Sequence, residues 1–356
     1  MSLPKTQEAV VIVAKGKAEL VSDRPIPKLR DGYILIKTKA VAINPTDWKH
    51  VDYLASEGAL CGCDYSGIVV EVGSGVSKPF KKGDKVFGFV HGGDAVQHEN
   101  GAFAQYIVAK GDLQTHIPEN LSFEEAATLG VGVSTVGQGL YQSLQLPLPT
   151  SPAKQPFSVL IYGGSTATGT LAIQFAKLSG LSVITTSSPR NFSLCKSLGA
   201  DHTFDYNDPS CAEQIQKITD GKLEYAFDTI SNEQTAAICV ASLNPSKSGV
   251  RYSSLLPMKR FPRDDIFKGY TLAYTTVGEY FRMGPNGPEF PGKEEDFEFA
   301  KKFWGIAEKL LGEGNVKVHP YEVRAGGLQG TIEGMGLLRE NKVSGKKLVY
   351  KVDETS

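Results

Sequence analysis

An apolar run, Ser158 to Tyr162, leads directly into Gly163-Gly164-Ser165-Thr166-Ala167-Thr168-Gly169, and an amphipathic segment, Thr170 to Leu178, follows. No other feature of the sequence restricts the fold as much. A short continuous apolar run reads as a buried strand, and glycine permits a tight exit from it. The first N–H groups of a helix have no intrahelical acceptor, so a helix opening here aims donors at an anion. The spacing fits G-x-G-x-x-G with Gly164 first and Gly169 last, but Thr166 stands where the middle glycine belongs. The hydroxyls of Ser165, Thr166 and Thr168 are expected to donate in its place. An ordinary strand-to-helix turn is the plainer alternative. The strand-helix-strand context favours a dinucleotide pyrophosphate.

That context continues downstream. Strands are expected at Ser182 to Thr186, His202 to Asp205, Tyr225 to Ile230 and Gly249 to Leu255. Helices are expected at Asn191 to Leu198, Cys211 to Thr219 and Glu233 to Ser242. Such alternation implies a doubly wound parallel sheet. Before it, β-rich runs at Ala9 to Val13, Tyr33 to Ala42, Gly67 to Val72, Lys85 to Val90 and Phe103 to Val108 are separated by glycine turns, suggesting a barrel-like domain. Ser122 and Glu125 form a capping box, and one helix is expected to run from it through Ser134 to Tyr141. Residues 257–293, rich in Pro and Gly, read as irregular. Helices at Glu294 to Leu311 and Leu328 to Glu340 precede a last strand, Lys346 to Val352, which falls outside the alternating rhythm and is expected to return to the first domain.

The end of the second strand bears on which nucleotide binds. A carboxylate there would hold a ribose 2′-hydroxyl. Thr185-Thr186-Ser187-Ser188-Pro189-Arg190-Asn191 offers hydroxyls and a guanidinium instead. Those groups suit a 2′-phosphate, so NADPH is expected over NADH. Ser188 also suits the cap of the next helix, with Pro189 in its first turn.

Composition excludes several classes. At 356 residues the chain is long enough for two domains, and its net charge of −1 offers no bulk attraction for nucleic acid or an anionic membrane. No apolar stretch is long enough to span a bilayer. The five cysteines form neither an even framework nor a C-x-x-C pair, so a reducing, cytoplasmic setting is expected. The six histidines show no metal-ligand spacing and take no role in this reading.

Four stretches carry a resemblance: Ala40 to Lys49 (AVAINPTDWK), Gly62 to Gly67 (GCDYSG), Val72-Gly73 and Gly83 to Gly88 (GDKVFG). With the β domain, the nucleotide domain and the returning strand, the chain resembles the medium-chain dehydrogenase/reductase superfamily. The implied fold is α/β, a GroES-like β-rich catalytic domain plus a Rossmann doubly wound parallel-sheet domain. The expected division is 1–125 and 310–356 for the first and 126–309 for the second. Zinc members place a Cys where this chain has Asn44, and Gly-His-Glu where it has Gly62-Cys63-Asp64. Catalytic zinc needs three protein ligands. Cys61 and Cys63, read as neighbours in an extended strand, do not replace them. No metal is expected. Hydride addition to an activated C=C then fits better than alcohol oxidation.

Tyr162 to Gly169, Ser188 to Asn191, Phe204 to Tyr206 and Val343 to Leu348 resemble the fungal trans-acting enoyl reductases. That resemblance implies NADPH-dependent reduction of an α,β-unsaturated acyl thioester held on the carrier protein of a polyketide synthase. A monomer is the expected form. It implies cofactor contacts from Thr46, Asp47, Trp48 and Lys49, from Gly163 through Thr168, from Ser188, Pro189, Arg190 and Asn191, and from Tyr206, Leu255, Leu256, Val343 and Ser344. Ala167 belongs to this set. Substrate contacts are implied from Ser134, Thr135, Val136, Gly137, Gln138, Gly139, Leu140 and Tyr141, and from Thr275, Thr276, Val277, Gly278 and Glu279. Lys49 is the candidate catalytic cation, near the nicotinamide ribose or at the thioester carbonyl, and Lys49 or water is the candidate donor of the α-carbon proton. Each has a bland counterpart: Lys49 as a solvated lysine, Asp47 as a turn residue, the helix glycines as packing, Tyr206 as core. A stand-alone NADPH quinone or enone oxidoreductase, or a non-catalytic NADPH-binding protein, would share the cofactor residues.

Overall fold

A computed structural model describes residues 3–258 and 260–355. Two compact units divide the chain; one ends at Val131 and resumes at Tyr274, and the other is Gly132–Ala273. Among the described residues no helix is long and apolar enough to cross a membrane.

The first unit is built around the strand Tyr33–Ala42. Its first half pairs with Tyr106–Lys110, its end with Lys347–Lys351, and its other edge with Asp64–Val72. Register shifts at Leu35/Ile36 and Thr38/Ala40 bend it enough to serve three partners. Tyr321–Arg324, Lys85–Phe89 and Gln114–His116 complete this sheet, and Thr6–Ala14 with Lys17–Pro25 form a separate hairpin. The core between them includes Ile34, Ile36, Tyr65, Phe103, Ile107 and Tyr350, all almost fully buried. The last strand thus returns to the first unit, as its place in the sequence suggested.

The second unit carries a six-stranded parallel sheet. Its order is His202–Asp205, Ser182–Ser187, Ser158–Tyr162, Tyr225–Asp228, Arg251–Ser254, Phe267–Tyr270. Counted along the chain this is 3-2-1-4-5-6, the doubly wound dinucleotide order. The sixth strand lies inside the 257–293 stretch expected to be irregular. It is four residues long and mostly exposed, so it carries no apolar run to betray it.

Two further expectations are corrected. Residues 274–309 belong with the first unit rather than the nucleotide domain, as do residues 126–131. The helix Glu294–Gly312 buries Trp304 against Phe87, a barrel strand residue. The helix begun at Ser122 is also not continuous. The Ser122–Glu125 capping box is present, but that helix ends at Ala126. Gly130–Val136 follows as a second helix, and Gly137–Ser143 is a π-helical turn. The break is stabilised by side chains: Lys347 Nζ donates to the Thr128 carbonyl, and the Val131 amide donates to Asp64.

Candidate functional site

In the second unit the glycine turn is a cradle with no room for side chains. Gly163 has φ +80°, and a Cβ there would lie 2.6 Å from Thr229 Oγ1. A Cβ on Gly164 would lie 2.0 Å from Thr185 Oγ1, and one on Gly169 would meet the Gly163 carbonyl at 2.2 Å. The Gly163 and Gly164 amides donate to Thr186, which fixes the turn on the second strand. Thr166 caps the helix Ala167–Leu178; its Oγ1 accepts from the Gly169 amide and lies 3.0 Å from Thr229 Oγ1. That oxygen therefore helps to cap the helix as an acceptor. Ser165 and Thr168 remain half-buried, and the Ala167 and Thr168 amides open the helix without intrahelical acceptors.

No carboxylate stands at the end of the second strand. Ser188 Oγ lies 3.0 Å from the Tyr206 hydroxyl, and its side chain does not cap the following turn, Pro189–Asn191. Arg190 is exposed on that turn. Asp228 lies buried at the end of the fourth strand, where it accepts from the Ile230 and Ser231 amides, Thr235 and Tyr252. Ser231 in turn accepts from the Leu255 amide, and the Leu256 carbonyl accepts from Ser254. These two backbone groups, expected to meet a carboxamide, thus already have partners within the unit.

Ser134, Thr135, Val136, Gln138, Leu140 and Tyr141 are all buried. Gly139 packs on the Phe227 ring, where a Cβ would lie 2.4 Å away, and the Tyr141 hydroxyl meets Ser179 Oγ at 2.9 Å. Packing accounts for Gly139 and Tyr141.

In the first unit the helix Pro45–Tyr53 holds Thr46, Asp47, Trp48 and Lys49. Asp47 is more than a turn residue: its Oδ2 accepts from the Asn44 amide at 2.6 Å, closing the helix start. Its carboxyl is buried, and desolvation lifts its pKa to about 7. Trp48 lies against Tyr53 and the Arg339 guanidinium, and Arg339 holds Asp52 in a two-pronged ion pair. Lys49 is half-buried and has no ion-pair partner among the described residues; burial pulls its pKa down.

Asn44 sits above a buried ion pair. Lys347 Nζ donates to Asn44 Oδ1 at 2.9 Å and to Asp64 Oδ2, and Asn44 Nδ2 donates to the same carboxylate oxygen at 2.9 Å. Zinc does not fit this donor set. An ammonium already neutralises Asp64, and the amide of Asn44 is spent on both partners. Cys61 and Cys63 are buried thiols in the irregular segment before the strand Asp64–Val72, not members of it, and burial pushes both up in pKa.

The segment from Tyr274 is anchored on the barrel. The Glu279 carboxylate accepts from Tyr33 at 2.7 Å and Lys110 at 2.7 Å, and Gly278 packs on Phe297. Thr275 and Thr276 are buried, and Val277 borders a cavity of about 10 Å³ with Tyr33, His91 and Lys110. Val343 packs against the core, and Ser344 is exposed.

Sequence reasoning passed over one cluster. Tyr274 stacks on His91 with ring centroids 3.9 Å apart, and His50 meets its edge at 5.5 Å. The Tyr274 hydroxyl lies 2.6 Å from Thr46 Oγ1 and 3.9 Å from Cys63 Sγ. These residues come from four separate segments, so no spacing pattern could reveal them.

Comparison with known proteins agrees with this architecture. Residues 30–119 match the alcohol dehydrogenase GroES-like domain, and residues 167–279 match the zinc-binding dehydrogenase family. Solved structures share the fold. The CurK enoyl reductase has a TM-score of 0.72 at 18% identity, with 97% of this chain and 99% of that one covered. A quinone oxidoreductase from Pseudomonas syringae has a TM-score of 0.74 at 21% identity, with 97% and 99% covered. Curated relatives are much nearer in sequence. Trans-enoyl reductase ACTTS2 of Alternaria alternata is 46% identical, with 98% of this chain and 99% of the relative covered. Trans-enoyl reductase resD of Aspergillus sclerotiorum is 49% identical, with 97% and 100% covered. Trans-enoyl reductase TOXD of Cochliobolus carbonum is 58% identical, with 77% and 92% covered. Both domain matches and relatives this similar along most of the chain lead to one assignment: the chain belongs to the trans-enoyl reductases of the medium-chain dehydrogenase/reductase superfamily.

Proposed function

We propose that this chain transfers hydride from NADPH to the β-carbon of an α,β-unsaturated acyl thioester carried by a polyketide synthase, acting in trans. The family is one of nicotinamide-dependent oxidoreductases acting on C=C bonds. The observation that carries the reading is the near-full-length similarity to trans-enoyl reductases. NADPH is preferred in this reading because hydroxyls and Arg190, without a carboxylate, follow the second strand. The cradle residues Gly163, Gly164, Ser165 and Gly169 would hold the pyrophosphate, with the amides of Ala167 and Thr168 as donors. When bound, the cofactor supplies hydride.

Lys49 is assigned to the thioester carbonyl. A desolvated ammonium without a competing carboxylate stabilises developing enolate charge better than a solvated one. Metal takes no part in this reading, because the Lys347 ammonium already satisfies Asp64 and Asn44.

The test compares NADPH oxidation with a crotonyl-carrier protein, crotonyl-CoA, a small enone and a quinone. Carrier-bound and CoA thioesters should give the higher kcat/KM, since remote binding energy positions the reacting carbons. Lys49→Ala should lower turnover on thioesters and leave the fold intact. If quinones are reduced faster than any thioester and Lys49→Ala has no effect, the reading is wrong.

A further inference from the structure

Asp228 is fully buried at the carboxyl end of the fourth parallel strand, and no cation is among its hydrogen-bond partners. Burying such a group is costly unless donors surround it. One oxygen, Oδ1, accepts from the Ile230 amide at 3.0 Å and the Ser231 amide at 2.9 Å. The other, Oδ2, accepts from Thr235 Oγ1 at 2.6 Å and the Tyr252 hydroxyl at 2.8 Å. The sheet pairs Asp228 with Tyr162, the residue before the glycine turn. Strands one and four are therefore neighbours, and the strand order reverses between them. Ligands of doubly wound sheets bind at that point, outside the carboxyl ends of the strands. Thr229 ties the two ends together, since its Oγ1 donates to the Tyr162 carbonyl at 2.8 Å.

The carboxylate also holds a strained turn. Ser231 has φ +68°, a left-handed conformation that a residue with a Cβ adopts at a cost. Glycine would adopt it freely, but Ser231 uses its hydroxyl twice. Oγ donates to the Asp228 carbonyl at 2.9 Å and accepts from the Leu255 amide at 2.7 Å. Ser254 Oγ donates to the Leu256 carbonyl at 2.8 Å. The groups on either side are thus engaged. The peptide group between them is not: neither the Leu255 carbonyl nor the Leu256 amide has a hydrogen-bond partner among the described residues. Such a peptide group suits a primary carboxamide, which can donate to its oxygen or accept from its N–H.

We propose that Asp228 is a positioning residue for the nicotinamide end of the cofactor, acting through Ser231 on the peptide group between Leu255 and Leu256. The inference rests on the reading that a nicotinamide dinucleotide lies at this end of the sheet. Asp228 fixes the two amides of the turn, and the turn presents Ser231 Oγ to the Leu255 amide. That bond sets the orientation of the peptide group that follows. Tyr252 and Thr235 tie the carboxylate to the fifth strand and to the helix Glu233–Ser242, so the turn cannot shift alone. Asp228 itself touches no cofactor in this scheme.

Calorimetric titration of the full chain with NADPH, and with adenosine 2′,5′-bisphosphate as a fragment lacking nicotinamide, tests the proposal. Asp228→Asn keeps the shape and one acceptor oxygen, but its NH2 cannot accept from Thr235 and Tyr252. It should raise the NADPH Kd about 10-fold at one site per chain, and leave the bisphosphate Kd within about twofold of wild type. Ser231→Gly relaxes the strained φ and removes the link to Leu255. It should raise the NADPH Kd about 10-fold without lowering Tm, a combination that a merely structural serine would not give. An NADPH Kd within about twofold of wild type in both variants would overturn the proposal. Equal weakening of NADPH and the bisphosphate would overturn it as well, because the change would then extend beyond the nicotinamide end. If Asp228→Asn fails to fold, Ser231→Gly decides. A wild type that binds NADH as tightly as NADPH overturns the NADPH reading alone, and the variants are then scored with NADH against ADP. A wild type that binds neither dinucleotide overturns both.

Discussion

Replacing Lys347 by Met should be among the most damaging single changes in the barrel unit. The Lys347 side chain is 3% exposed and its partner Asp64 is fully buried. Met matches the length of the aliphatic stem and removes only the ammonium. Asp64 keeps the amide of Val131 and the Asn44 Nδ2, and Asn44 Oδ1 loses its donor. Removing one partner of a buried pair leaves an uncompensated charge and costs about 3–5 kcal/mol. For a unit of this size that corresponds to a fall of roughly 6–20 °C in Tm. Differential scanning calorimetry on the two proteins gives the number. A second variant separates charge from packing. Asp64→Asn combined with Lys347→Met removes both charges, so the double variant should recover a large part of the loss, with a coupling energy of about 2 kcal/mol or more. A Lys347→Met penalty below about 1 kcal/mol, the value of a surface pair, would refute the argument. So would strict additivity in the double variant.

Three further outcomes are expected. Gly164→Ala places a methyl 2.0 Å from Thr185 Oγ1, which is itself bonded to the Ile161 carbonyl; it should cost about 1–3 kcal/mol and weaken NADPH binding, as thermal unfolding and nucleotide titration would record, and unchanged binding would remove the cradle assignment. Burial lifts the Asp47 carboxyl to about 7, above its unfolded value of ~3.9, so the native state keeps a proton that the unfolded chain has lost. Its cost is absent below about pH 4 and grows as pH rises to about 7; Asp47→Asn, which retains an acceptor for Asn44, should flatten that slope in urea titrations at several pH values. NADPH should bind at least ~10-fold tighter than NADH, about 1.4 kcal/mol, and Arg190→Ala with Ser188→Ala should narrow the gap; equal affinities in the wild type by calorimetry would overturn the assignment of those two residues.

Much of the second unit was legible because its information is local. Ser158–Tyr162 is an uninterrupted apolar run, the glycine turn follows at once, and the strand His202–Asp205 and helix Glu233–Ser242 have the bounds their periodicity predicts. The capping box at Ser122 was equally visible, since its two partners are three residues apart. What was not legible depends on contacts between distant segments. The helix expected to run on from Ser122 breaks because Lys347 and Asp64 claim backbone groups at Thr128 and Val131. Residues 274–309 join the barrel because Trp304 buries against Phe87. Thr166 Oγ1 caps its own helix, a contact three residues away in sequence. Tyr274 carried no signal, sitting in a Pro- and Gly-rich stretch, yet it brings Thr46, Cys63, His50 and His91 together. The sequence by itself determined the buried strand, the glycine turn and the helix that follows it, because these depend on residue identity at short spacing. Only the tertiary structure decided that a lysine near the end of the chain fills the place beside Asn44 and Asp64. It alone placed a tyrosine above the start of the Lys49 helix, because burial and pairing across more than two hundred residues leave no local pattern.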